Sequence, residues 1–85
     1  MRDRLPRDRV IAVLKHHGVD ISEKTENGRT SHTCSKGDVV EVHFLPDDVP
    51  RHLLGRFAVK FGFAMGEFWD DDLLTSLDQP QPRVQ

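Results

Sequence analysis

Residues 39–63, VVEVHFLPDDVPRHLLGRFAVKFGF, constrain the fold more than any other stretch, because their periodicity changes once. Val40, Val42 and Phe44 alternate with Glu41 and His43, the pattern of a strand with one buried and one wet face. Leu53, Leu54, Phe57, Ala58 and Phe61 then fall on one side of a helix. Pro50 stands where a helix begins and Gly62 where one stops. The alternation predicts a strand over 38–45 with Val40, Val42 and Phe44 buried. Any chemistry is then expected on the wet side, with Glu41 and His43.

The rest of the chain supplies partners for that strand. Pro6 precedes a helical run through Val10, Ile11, Val13 and Leu14, and Gly18 follows His17 as a C-terminal cap. Val19 and Ile21 begin a first strand, and Glu26-Asn27-Gly28 marks a hairpin turn. A polar second strand over 29–35 leads through Lys36-Gly37 into the third strand. A helix over 50–61 and a short aromatic turn, Gly66-Glu67-Phe68-Trp69, complete the body. The order predicts an α+β fold, α-β-β-β-α, in which a three-stranded antiparallel sheet carries two helices on one face. A single domain is expected over 1–77, with a frayed Pro/Gln-rich tail over 78–85.

With 85 residues, the chain buries about 60–65% of its unfolded surface. It is 36% hydrophobic and 31% charged, an ordinary globular composition. No apolar run approaches the ~20 residues of a membrane span, and no apolar segment follows the charged opening MRDRLPRDR. A cytoplasmic location is therefore the expectation. The one cysteine, Cys34, has no internal disulfide partner and reads as a buried thiol. The net charge of −2 is unlike that of a nucleic-acid binder. Its spread is uneven: Arg2, Arg4, Arg7 and Arg9 gather at one end, Asp70, Asp71 and Asp72 near the other. Phe57, Phe61, Phe63, Phe68 and Trp69 are expected in the core, and His16 and His17 at a helix C-terminus, where a cation is favourable.

Several strings, in this order and spacing, resemble the HicA family of toxin endoribonucleases: RVIAVLKHHGV (9–19), VVEVHF (39–44), VP (49–50), RFAVKFGF (56–63) and GEFW (66–69). The resemblance covers residues 9–69. It implies a fold similar to the double-stranded-RNA-binding domain (dsRBD), messenger RNA as substrate, a cognate antitoxin as protein partner, and no cofactor or metal. The family's second strand opens with Gly-(Ser or Gly)-His, the histidine being catalytic. Here either Asn27-Gly28-Arg29 stands in that place, or Thr30-Ser31-His32 supplies the Ser-His pair without the glycine.

If Lys36-Gly37 is a two-residue loop, His32 lies opposite Glu41 and Thr30 opposite His43, which gathers His32, Glu41 and His43 on one face. Two imidazoles and a carboxylate can cleave RNA without metal. One ring takes the 2′-OH proton, the other protonates the leaving oxygen, and the acid orients a ring. Arg29 and Lys36 are the candidate phosphate contacts. The same trio also reads as a two-His-one-carboxylate metal site, or simply as polar residues of an exposed strand. Two functions follow. One is a toxin-like metal-independent endoribonuclease, catalytic through His32, His43 and Glu41, acting on mRNA and neutralised by an antitoxin. The other is a catalytically degenerate fold of the same kind that binds RNA or protein. No membrane partner is expected, and a homodimer is among the allowed assemblies.

Overall fold

The computed structural model describes residues 3–78, in the order β1 (Arg4–Pro6), α1 (Arg7–His16), β2 (Asp20–Glu26), β3 (Arg29–Lys36), β4 (Val39–His43), β5 (Asp48–Pro50), α2 (Arg51–Phe61), a 3-10 turn (Met65–Trp69) and α3 (Asp71–Asp78). β2, β3 and β4 form the expected three-stranded antiparallel sheet with β3 in the centre, so the chain is an α+β domain. Three elements go beyond the sequence reading: α3, and the three-residue strands β1 and β5, which pair as a separate ribbon. The expected tail lies outside the described residues except for Asp78, where α3 ends.

Local chemistry explains the boundaries. Pro6 holds φ at −56° and leads into α1 without needing a backbone donor. Past the end of α1, the Gly18 N–H bonds the Lys15 carbonyl and the Val19 N–H bonds the Leu14 carbonyl, the paired bonds of a Schellman cap. In α2 the Phe63 N–H reaches back to the Ala58 carbonyl in the same way. Asn27 and Gly28, both at positive φ (53° and 77°), close the β2–β3 hairpin.

The second hairpin differs from expectation by one step. Lys36 pairs with Val39, so the loop is Gly37-Asp38 rather than Lys36-Gly37. A two-residue hairpin needs positive φ at its first loop position; Gly37 takes φ +60° there, and a lysine would resist it. The pairing slides by two positions, which leaves every side chain on its expected side of the strand. His32 now lies opposite His43, and Cys34 opposite Glu41.

Which face the helices cover is also reversed. Val40 (57% exposed), Val42 (59%) and Phe44 (55%) look outward, while His32 and Cys34 are buried and Glu41 and His43 lie partly buried. The reason lies in the neighbouring strands. Val19, Ile21, Cys34 and Val39 share the side of Glu41 and His43, whereas on the other side β2 and β3 offer only Asp20, Ser22, Lys24, Glu26, Arg29, Ser31, Thr33 and Ser35. Summed over three strands, the apolar face is the one that β4 alone marks as wet.

The core runs from Leu5 and Val49, cross-strand partners in the ribbon, through Val10, Val13 and Leu14 of α1, to Leu54, Phe57 and Phe61 of α2. Phe68 closes it, and Phe63 and Trp69 pack against it, as their spacing predicts. The two charged ends meet: Arg9 donates to the Phe68 carbonyl (2.8 Å) and to the Asp71 carboxylate (2.9 Å). Arg7 pairs with Asp47 at 3.2 Å and also holds the Leu45 carbonyl. Among the described residues no helix is long and apolar enough to cross a membrane.

Candidate functional site

β3 and β4 bring three of the five expected site residues together under α2 and leave two elsewhere. His32, in the central strand, is 1% exposed. Its Nε2 lies 3.4 Å from the Glu23 carboxylate of β2, and its Nδ1 is buried with no hydrogen-bond partner. The alternation of β4 puts this ring on the wet side; it is instead buried on the helix-bearing side. The cause is the face reversal, since a residue that shares a side with Cys34 and Ile21 goes where they go.

His43 sits at the rim of the same face. Its ring meets Phe57 edge-on at 5.1 Å, and its Nε2 lies 3.1 Å from Glu41 Oε1. The same oxygen accepts a hydrogen bond from Arg56 Nε at 2.5 Å. Arg56 holds the Glu41 carboxyl below its ordinary value, chiefly through this hydrogen bond, and His43 adds to the effect against the opposing cost of burial. Glu41 is thus an ionised acceptor shared by an imidazole and a guanidinium. Arg56 itself is half exposed.

Arg56 was not among the sequence candidates. It stands one residue before Phe57 and next to the apolar stripe of α2, a flank position that touches the sheet only once the helix-bearing face is known. Arg29 projects to the opposite face, its guanidinium 4.4 Å over the Phe44 ring. Lys36 lies at the far end of β3, four residues from His32, or about 13 Å along an extended chain. Neither candidate phosphate contact therefore stands beside the histidines. Cys34 is fully buried, and burial, with a smaller contribution from the Glu41 charge, pushes its thiol up to about 11, so it is no nucleophile at neutral pH. Among the described residues no group of three His, Cys, Asp or Glu side chains is arranged to hold a metal ion.

The arrangement can orient one imidazole. With Glu41 accepting the Nε2 proton, His43 keeps Nδ1 as its acceptor, and Arg56 supplies positive charge alongside. It does not offer a second accessible histidine. The other face is open: a groove of about 210 Å³ is lined by Lys24, Glu26, Asn27, Arg29, Ser31 and Phe44, beside the exposed Val40 and Val42. No protein-family model, curated protein or solved structure matches the chain.

Proposed function

We propose that this chain is a HicA-like, dsRBD-like domain that has kept the fold and given up RNA cleavage, acting in the cytoplasm by binding a protein partner on the open face of its sheet. One observation carries the reading: His32, the histidine nearest the family's catalytic position, is buried beneath the helices. A buried ring cannot take a proton from a ribose hydroxyl. Arg29, which stands in that position in the other alignment, has no acid/base chemistry at neutral pH.

The cations support a protein rather than an RNA partner. Arg7, Arg9, Lys24 and Arg56 are all paired with carboxylates, and the net charge is −2. Phosphate binding at these four cations would have to break those pairs. The open face instead presents Val40, Val42 and Phe44 with Arg29 stacked on the last, an apolar strip with a cationic edge. Taken with the resemblance, the partner class is an antitoxin-like protein.

A second reading rests on the His43–Glu41–Arg56 group, which combines an oriented imidazole with a guanidinium that can hold an anion. In that reading the chain is a metal-independent endoribonuclease whose working histidine is His43. Incubation with RNA in EDTA separates the two. The binding reading expects intact RNA; cutting that disappears in His43→Ala would replace it with the nuclease reading.

A further inference from the structure

The two edges of the sheet are built differently. The outer strand β2 carries Asp20, Glu23, Lys24 and Glu26, charges of the kind that keep an edge strand from pairing with a neighbour. The other outer strand, β4, has no lysine, proline or bulge, and its outward side chains are Val40 and Val42, continued by the exposed Phe44.

The backbone of β4 has bonding capacity left over. In a two-residue hairpin the residues flanking the loop form a hydrogen-bonded pair, here Lys36 and Val39. The alternation then directs the N–H and C=O of Val39, Glu41 and His43 toward β3, and those of Val40, Val42 and Phe44 away from it. No backbone bond outside the sheet takes up these outward groups among the described residues.

We infer that a second copy of this chain pairs with β4, antiparallel, with the two-fold axis at Val42. Five two-fold registers, centred on residues 40 to 44, bring outward positions together. The one centred on Val40 sets Val42 against Asp38, and the one centred on Phe44 sets Val42 against Pro46, which has no N–H. One centred on Glu41 sets two carboxylates face to face. One centred on His43 sets two imidazoles face to face and Glu41 against Leu45. The register centred on Val42 pairs Val40 with Phe44 on the open face and sets each Glu41 against the other copy's His43 on the helix-bearing side. Apolar meets apolar and acid meets imidazole only in that arrangement. The product is a six-stranded sheet with one continuous apolar strip across the axis.

This inference goes beyond the binding reading: the second copy takes up the edge of β4 and leaves the open face, doubled in length, to the protein partner. Sedimentation equilibrium over a roughly hundredfold concentration range tests it, and the expected result is twice the chain mass at the upper end. Val42→Lys, which sets two ammonium groups together on the axis, is expected to give the single-chain mass. Val42→Cys, nearly volume-conserving, covers the case in which the lysine variant fails to fold. On mild oxidation it should cross-link to itself, because Cα atoms of a hydrogen-bonded pair are about 5.5 Å apart, within disulfide reach. Val40→Cys faces Phe44 and should not. The buried Cys34 keeps the readout clean. A wild-type chain of single mass throughout, or faster cross-linking through residue 40 than 42, overturns the inference. RNA cleavage would defeat the binding reading and leave the dimer standing, whereas a monomer leaves the question of cleavage untouched.

Discussion

Glu41 is the carboxylate that Arg56 and His43 share on the helix-bearing side, and its carboxyl, lowered by Arg56 first and His43 second, links stability to pH. A lowered carboxyl contributes its full stabilisation above the ordinary value of 4.5 and loses it as pH falls through the folded value. Urea midpoints measured downward from neutrality should therefore drop in wild type below about pH 4.5 and be flatter there for Glu41→Gln. His32 poses a different question, because a buried ring nitrogen without a partner costs about 1–3 kcal/mol. His32→Leu should thus be neutral or stabilising, while His32→Ala, which leaves a cavity, should cost about 2–5 kcal/mol in urea unfolding. A His32→Leu protein much less stable than wild type would mean that the ring is held by bonds beyond its contact with Glu23. The alternation of residues 38–45 shows that Glu41 and His43 share a side. It does not show Arg56, whose approach depends on how α2 lies across the strand.

At the scale of elements, the β3–β4 turn sets the register, and Gly37 sets the turn. Gly37→Ala puts a Cβ at φ +60° and should cost about 1–2 kcal/mol, read as a lower urea midpoint with an unchanged slope. Nothing lies within 4 Å of the added carbon, so backbone strain alone would account for the loss. Both main helices are legible in the sequence because their ends are marked: Pro6 and Gly18 for α1, Pro50 and Gly62 for α2. The Asn27-Gly28 hairpin is legible for the same reason. β1 and β5, with three residues each, are too short for any period to show, and their pairing joins segments more than forty residues apart in sequence. The buried face of the sheet is misread from β4 because one strand's alternation is a local signal. The helices settle where the sum of three strands is most apolar.

For the whole molecule, a chain of this length has about 4–13 kcal/mol of stability in total. Leu5 is fully buried and ties the β1–β5 ribbon to the core, so Leu5→Ala, at about 2–5 kcal/mol, should bring a large share of the protein near its unfolding threshold at room temperature. Circular dichroism melting should show a midpoint lower by about 10 °C or more. Arg9, clasping the Phe68 carbonyl and Asp71, makes the acidic segment part of the body rather than a loose end, something that charge counts along the chain do not reveal. The acidic and basic character of β2 has a last consequence. Once two molecules have joined along β4, the margins of the joined sheet are the two β2 strands, whose Glu23, Lys24 and Glu26 give no foothold for another neighbour. Growth halts at a pair, and the six-stranded sheet cannot lengthen into a fibril.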